Sequence, residues 1–242
     1  MQITKVLEFE NKEDEDIYKE IFLTACEYSM LTFKDELVRK KVDLISFELT
    51  KKLAKVVNEK HRFEVDKAIL ELEILKELEY GISFIGTNKL SQDIENFLSQ
   101  STGVMDIFAT KFLKNLIGYT GRQWYYEQVV HCYKKFDTKD QSTNNKIIQL
   151  LEDDQNLWLS DMFNDRHLHH ESNFKLSPLS ILEGKPFMYL ERRNKKLSTD
   201  ISGYLETNWL NLFGMIKDLT WLTFCMLNPA IKHLRLDKEY FK

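Results

Sequence analysis

A shortage of glycine and proline is the feature that most limits what this chain can fold into. The 242 residues include only eight glycines and three prolines. Proteins built from β-strands use these two residues in their many turns, so the scarcity argues against an all-β fold. Leucine, lysine and glutamate, which are good helix formers, are abundant instead. The composition therefore predicts a mainly α fold, arranged as a helical bundle.

Charge, cysteine content and hydropathy limit the partners and the location that we expect. The formal net charge is −4 and the pI is near 5.9, so any contact with RNA or DNA needs a local basic patch. Cys26, Cys132 and Cys225 lie far apart without paired spacing, which is typical of reduced thiols. No signal peptide is evident, and polar residues interrupt the most apolar stretch, 209–227. We therefore expect a cytoplasmic protein that does not enter a membrane.

The first third of the chain combines helical and strand-like patterns. Apolar residues recur at helical spacing over 12–36, and the composition of 66–80 also favours a helix. Residues 42–49 instead alternate between polar and apolar types, as a strand does, and 82–85 lie between two glycines like a short strand. This region is therefore predicted to be mixed or helical.

Turn residues at 86–88 predict a domain boundary. We expect an N-terminal region over 1–87 and a helical bundle over 88–242. The bundle opens with apolar residues on one helical stripe, which are Ile94, Phe97, Leu98, Met105, Phe108, Phe112 and Leu116.

The rest of the bundle is predicted from periodicity and turn residues. An aromatic-rich helix over 122–135, a polar loop over 137–145 and a helix from 145 to a histidine-rich segment follow one another. An irregular connection comes next, with a possible hairpin around 187–190. The last helix spans about 200–227 and is apolar on nearly all sides, as in the centre of a bundle or in a dimer interface.

The histidine-rich segment carries the clearest candidate site. It holds three of the six histidines of the chain within eight residues, and its members are Asn164, Asp165, Arg166, His167, Leu168, His169, His170 and Glu171. On a helix, positions i, i+3 and i+4 share a face, so Arg166, His169 and His170 project together. An arginine can hold a phosphate and a histidine can move a proton near neutral pH. Asn164 and Asp165 lie close enough to orient a side chain.

Two other interpretations of this segment stay open. A polar helix end favours cationic groups, because they interact with the helix dipole and the last carbonyls. His167, His169, His170 and Glu171 are also possible metal ligands, although their spacing is unlike that of a zinc-binding helix. We expect no metal and no other cofactor, since the sequence contains no dinucleotide-binding, Walker A or nucleophile-elbow motif.

The helices and the motif together resemble the HEPN superfamily (higher eukaryotes and prokaryotes nucleotide-binding). The resemblance covers roughly residues 88–230. It includes the segment 93–98 at the start of the first long helix, the segment 158–170 with the motif, and the closing helix from Tyr204. In active members an arginine is followed by four to six residues and then a histidine. Here only three residues separate Arg166 from His170, and Glu171 stands where the shortest spacing would place the histidine.

The resemblance implies a metal-independent endoribonuclease in a phage-defence or toxin setting. A ribose 2′-OH would attack the adjacent phosphate, His170 or His169 would move the proton, and Arg166 would stabilise the charge. It also implies a homodimer with a composite cleft, and possibly a protein partner in a toxin–antitoxin pair. The shortened spacing favours an alternative, a non-catalytic module that binds RNA, nucleotide or a partner protein.

Weaker candidates lie outside the motif. Short basic clusters that could touch phosphates, but are more often solvated surface, lie at 134–135, 192–193 and 195–196. The consecutive aromatic residues Trp124, Tyr125 and Tyr126 could stack on bases, although core packing is the more common role. His131 has no third partner that would make its neighbour Cys132 a nucleophile.

The last helix predicts assembly. Trp209, Phe213, Trp221 and Phe224 do not all fit one apolar stripe, so the helix would expose a patch that favours a symmetric homodimer. The competing explanation is that residues 1–87 cover the second face within the same chain.

Overall fold

The computed structural model describes residues 11–81, 84–171 and 173–233. It is 76% helical and 9% strand, which confirms the mainly α prediction. The N-terminal region is helical where it is described, except for one two-residue strand.

The first helical stretch runs from residue 12 to residue 32. It consists of α1 (Lys12–Ile17), a π-helical segment (Tyr18–Leu23) and α2 (Thr24–Thr32). The prediction of a helix to residue 36 is therefore wrong at its end. Three residues connect α2 to the next helix, which Asp35 caps by accepting a hydrogen bond of 2.8 Å from the backbone N–H of Leu37.

The longest helix contradicts the strand that was predicted over 42–49. These residues belong to α3 (Glu36–Glu77), a helix of 42 residues. The buried positions are Val42, Ile45 and Leu49, whereas Leu44 and Phe47 are exposed. Burial therefore follows the i, i+3, i+7 pattern of a helix face. The alternation of polar and apolar residues in the sequence does not correspond to a buried and an exposed side. A 3₁₀ turn (Leu78–Tyr80) and Gly81, with φ of 81°, end this helix.

The middle of the chain agrees well with the predicted pattern. The helices α4 (Asn88–Ile107) and α5 (Lys114–Ile117) are joined by a π-helical segment (Phe108–Leu113), and all seven predicted stripe residues are buried. The next helix, α6 (Tyr126–Lys135), starts later than residue 122. The polar loop is shorter than predicted, since α7 (Gln141–Asp154) begins directly after its cap Asp140.

The remaining helices follow the predicted order. A π-helical segment (Gln155–Leu159) joins α7 to α8 (Ser160–His170). The closing helix is α9 (Ile201–Leu227), followed by a 3₁₀ turn (Pro229–His233).

The connection between α8 and α9 forms two small antiparallel sheets, one of which also includes a short strand that precedes α4. One sheet has the order β1 (Phe84–Ile85), β3 (Leu179–Leu182) and β4 (Lys185–Phe187). The other has the order β2 (Phe174–Leu176), β5 (Leu190–Arg192) and β6 (Lys195–Ser198). The short strand predicted at 82–85 is confirmed at 84–85, and its first two residues lie outside the described part.

The hairpin turns lie on either side of the predicted position. Glu183 and Gly184 connect β3 to β4, and Arg193 and Asn194 connect β5 to β6, all four with positive φ. Two-residue hairpin turns need this conformation because it matches the twist of the paired strands. The prediction of a hairpin at 187–190 is therefore wrong, since these residues pass from one sheet to the other.

One hydrophobic core extends across the predicted boundary near residue 87. It contains side chains from α3, such as Leu53 and Phe63, together with Ile94 and Phe97 from α4. The two helices pack directly against each other. The boundary therefore separates two stretches of sequence that share one core.

The last helix lies inside this core. Trp209 is 2% exposed and Trp221 and Phe224 are fully buried, while Phe213 is partly buried. Helices α2, α3 and α7 surround α9, so its apolar surplus is covered within the chain. The patch from which a homodimer was predicted is therefore covered within the chain, by α2 and α3 of the N-terminal region as the competing explanation has it and also by α7, and the homodimer itself stays a prediction.

Helix α9 is also long and apolar enough to cross a membrane. It meets this description by length and composition only, since its most apolar 18 residues have a mean hydropathy of 1.2. Of these residues, 61% are buried within the fold, as in the core helix of a bundle.

Replacing the ring at the centre of this core will test its importance. Phe224 makes edge contacts with Tyr28, Phe33 and Phe112 at centroid distances of 6.0, 6.4 and 6.1 Å. We expect Phe224→Ala to lower the free energy of unfolding by about 3–5 kcal/mol, because it leaves a cavity among fixed neighbours. Chemical denaturation measures the loss. Leu210→Ala, which truncates a side chain of the same helix that is 56% exposed, should change stability by about 0.5 kcal/mol or less.

Candidate functional site

The predicted motif lies at the C-terminal end of α8. The helix ends at His170, so the three histidines occupy its last turn, where positive charge interacts favourably with the helix dipole. After the helix, the backbone N–H of Asn173 donates to the carbonyl of Leu168 at 2.8 Å. This bond turns the chain toward β2. A helix C-terminus is therefore a sufficient structural reason for histidines at these positions. It does not explain which groups lie next to Arg166 and His169.

Two histidines of the motif lie beside one carboxylate of a neighbouring helix. The Nδ1 atom of His169 is 3.6 Å from one oxygen of Glu95, and the Nδ1 atom of His170 is 3.5 Å from the other. Glu95 belongs to α4, and Gln92 donates a hydrogen bond of 3.1 Å to it from one turn earlier. The site therefore has a member, Glu95, that the sequence did not identify, although it lies in the segment 93–98 on which the family resemblance rests.

The two imidazoles differ in their surroundings. His169 is 17% exposed and its ring lies 6.3 Å from that of Phe174, whereas His170 is 55% exposed. His169 therefore has Phe174 and Glu95 as neighbours. His170 is accessible to a ligand.

Arg166 is half-buried. Its Nε atom is buried and has no hydrogen-bond partner among the described residues. Arg166 takes part in none of the ion pairs among the described residues, so no carboxylate of that part of the chain neutralises its guanidinium group. Of the other motif residues, Asn164, His167 and Glu171 are exposed. Because 160–170 is helical, Arg166 shares a helix face with His169 and His170 through its i, i+3 and i+4 spacing, and the joint role of the three residues stays a prediction.

Asp165 has a different role from the predicted one. We expected it to orient a side chain of the motif or accept a proton from an imidazole. Instead it is fully buried and accepts hydrogen bonds of 2.7 Å from both Arg192 and Tyr204. The Nε atom of Arg192 also lies 2.6 Å from its second oxygen. Asp165 thus joins α8 to strand β5 and to the start of α9.

Burial controls the protonation of this network. It raises the pKa of Asp165, and the hydrogen bonds from Arg192 and Tyr204 offset this only in part. Burial would lower the pKa of Arg192, but the hydrogen bond and charge of Asp165 raise it. Burial and the neighbouring Asp165 raise the pKa of Tyr204 well above its ordinary value. Tyr204 is therefore a neutral hydrogen-bond donor, and Arg192 keeps its charge.

Some basic residues of the hairpin formed by β5 and β6 contact other side chains, and others are exposed to solvent. Arg192 is used by Asp165 and is not available to a phosphate, whereas Arg193 is exposed. Lys196 lies over the ring of Phe187 at 5.0 Å, a cation–π contact. Among the described residues, no group of three or more histidine, cysteine or acidic side chains is arranged to hold a metal ion.

Comparison with known proteins adds no assignment. No family model, no curated protein and no solved structure matches the chain.

The buried ion pair predicts a measurable stability difference between two adjacent arginines. Arg192→Ala should lower the free energy of unfolding by about 3 kcal/mol, because it leaves the buried charge of Asp165 without its cation. Arg193→Ala removes an exposed charge and should change stability by about 0.5 kcal/mol or less.

Chemical denaturation of both variants tests this difference. Adding Asp165→Asn to Arg192→Ala should restore part of the loss, since it removes the unpaired charge. Equal stability of the two single variants would show that the network does not fasten the end of α8.

Proposed function

We propose that the end of α8 is a metal-independent RNA-cleaving site. The single observation that carries the proposal is the cluster of Arg166, His169 and His170 on one helix face with Glu95 beside both imidazoles. An unneutralised guanidinium group can bind a phosphate, and an imidazole beside a carboxylate is suited to proton transfer. The resemblance to the HEPN superfamily supports the same chemistry.

Glu95 is proposed as the residue that orients the imidazoles. A carboxylate near Nδ1 favours the tautomer that carries its proton there and leaves Nε2 as the base. Both distances exceed those of an aligned hydrogen bond, and such contacts are often long in a site without substrate.

The proposed reaction is an internal transesterification of RNA. The ribose 2′-oxygen bonds to the adjacent phosphorus while the bond from phosphorus to the 5′-oxygen breaks. His170, or His169, accepts the proton of the 2′-hydroxyl, and a protonated imidazole donates a proton to the departing 5′-oxygen. Arg166 stabilises the additional negative charge on the phosphate oxygens. The products are a 2′,3′-cyclic phosphate and a 5′-hydroxyl.

A non-catalytic binding module is the second candidate. Glu95 places a negative charge next to the two imidazoles, where the reacting phosphate of a cleavage site would lie, and the chain as a whole carries a net charge of −4, so both disfavour catalysis at this place. The short spacing between Arg166 and His170 favours this alternative as well. In such a module, Arg166 would contribute to binding RNA, nucleotide or a partner protein without turnover.

Cleavage of RNA by the purified chain tests the first proposal. We expect total tRNA or mRNA to be cut in the presence of EDTA, leaving cyclic phosphate ends. Arg166→Ala and His170→Ala should each lower the rate by about 100-fold, the usual effect of removing a charge-stabilising group or a proton-transfer group. Gel analysis of labelled RNA and identification of the ends measure both effects.

Matched controls separate this site from a general loss of charge. Arg39 is also half-buried with an unpartnered Nε, and His233 is exposed on the turn after α9. Arg39→Ala and His233→Ala should cleave as the wild type does. No cleavage by the wild type, or equal cleavage by all four variants, would sink the nuclease proposal. Binding without turnover that is lost in Arg166→Ala would support the second candidate instead.

The homodimer that the resemblance implies needs a different surface from α9. Exposed apolar side chains lie along the second half of α3, where Val65 is 59%, Ile69 48% and Leu72 61% exposed. Their spacing of four and three residues puts them on one face, as in a helix pair. We propose that a second copy of the chain covers this stripe.

Light scattering over a concentration series tests the homodimer. We expect the wild type to be a dimer and Ile69→Glu to shift it to a monomer, because a charge cannot be buried at an apolar interface without a partner. Leu210→Glu, an equally drastic change at an exposed site of α9, should leave the dimer intact. A wild type that stays monomeric at every concentration contradicts the homodimer and leaves the cleavage assay to decide the nuclease proposal separately.

A further inference from the structure

A cavity of about 740 Å³ lies between α6 and the loop that precedes it, built from residues outside the motif on α8. One wall is the face of α6 on which Tyr125, Gln128, His131 and Lys135 follow each other at helical spacing. The opposite wall is the loop 117–122. The volume is within the range of about 300–1,000 Å³ that is usual for small-molecule sites.

Internal contacts shape the loop wall. Gly118, with φ of 74°, ends α5 in a left-handed conformation that suits glycine. The hydroxyl of Tyr119 donates to the backbone carbonyl of Gln123 at 2.9 Å. A Cβ atom on Gly121 would lie 2.1 Å from that hydroxyl, so a larger residue there would displace the ring of Tyr119. Contacts within the chain therefore shape this wall.

Positive charge surrounds the cavity. Arg122 and Lys135 line it, are exposed, and form no ion pair within the described ranges. An anionic ligand would therefore meet unneutralised cations.

The cavity also presents aromatic and polar groups to a ligand. Of three consecutive aromatic residues, Trp124 is buried and Tyr126 packs on the core, whereas Tyr125 is 42% exposed and lines the cavity. An exposed ring beside cations is suited to stacking on a planar base. Gln128 adds an amide that can both donate and accept hydrogen bonds.

The carboxylate of Asp137 favours some anionic ligands over others. It lines the cavity after the C-terminal end of α6 and would repel a bare polyphosphate. The hydroxyl or amino groups of a nucleoside would instead donate hydrogen bonds to it. The ligand that suits all of these groups therefore combines phosphate with a nucleoside.

Cys132 does not make the cavity a nucleophilic site. Its thiol donates to the backbone carbonyl of Ile117 at 3.4 Å, and burial raises its pKa. The thiol therefore stays protonated at neutral pH, and the thiolate that covalent chemistry requires is scarce. The geometry suits reversible binding.

We propose that this cavity is a nucleotide-binding site in which Arg122 and Lys135 hold the phosphates and Tyr125 stacks on the base. This proposal does not rest on the proposed function of α8, because the two sites share no residue. It is a binding site for a small ligand, and its occupancy does not require cleavage of RNA.

Calorimetric titration with defined probes tests the proposal. The full chain with Arg166→Ala is titrated with a panel of ribonucleoside mono- and triphosphates, with the matching nucleosides, and with pyrophosphate. We expect saturable binding of at least one nucleotide. Its nucleoside and pyrophosphate should each bind at least about 10-fold more weakly, since each lacks one of the two sets of contacts.

Single substitutions locate the binding. Arg122→Ala, Lys135→Ala and Tyr125→Ala should each weaken it by about 10-fold, the effect of losing one charged hydrogen bond or one stacked ring. Lys134→Ala is the matched control, because Lys134 is a neighbouring exposed lysine that does not line the cavity, and it should bind as before.

Three results would overturn the proposal. The first is no saturable binding of any nucleotide at millimolar concentration, including the case in which only single-stranded RNA binds. The second is pyrophosphate binding as tightly as the best nucleotide. The third is unchanged affinity in both Arg122→Ala and Lys135→Ala variants that remain folded by circular dichroism.

Discussion

Burial of α9 is the constraint on which the rest of this structure depends. A helix that carries large apolar side chains on nearly every side is stable in water only if other elements surround it. Helices α2, α3 and α7 do so here, and the rings of Tyr28, Phe33 and Phe112 meet Phe224 at its centre. Because α2 and α3 come from the first 77 residues, the N-terminal region is part of the same core and cannot be regarded as an appendage to the bundle.

The buried group formed by Asp165, Arg192 and Tyr204 connects this core to the candidate site. Asp165 lies next to Arg166 in the sequence, yet its side chain points inward and fastens α8 to β5 and α9. A carboxylate with two strong donors holds one geometry better than a packed apolar group does, since hydrogen bonds are directional. The hairpin of β5 and β6 therefore stabilises the fold, because β5 supplies Arg192, which pairs with Asp165 near the end of α8.

The two proposed sites use charge differently. At the end of α8, Glu95 lies against two imidazoles, an arrangement suited to moving protons, and Arg166 is the group that would contact the phosphate. Around the cavity on α6, Arg122 and Lys135 are not neutralised, an arrangement suited to holding an anion. An acidic chain can therefore contact phosphate in both places, since local charge and not net charge determines binding at short range.

The sequence alone determined the helical class, the apolar stripe from Ile94 to Leu116 and the shared face of Arg166, His169 and His170, because all three depend on local periodicity. Only the tertiary structure decided which neighbours these faces meet. It placed Glu95 beside the histidines, turned Asp165 inward, covered α9 within the chain and brought the loop 117–122 against one face of α6 to form a cavity. Contacts of this kind join residues that are distant in the chain, and the periodicity of a single segment carries no information about its partner. The strand predicted at 42–49 failed for the same reason, since the packing of α3 against its neighbours selected the helical period over the alternating one.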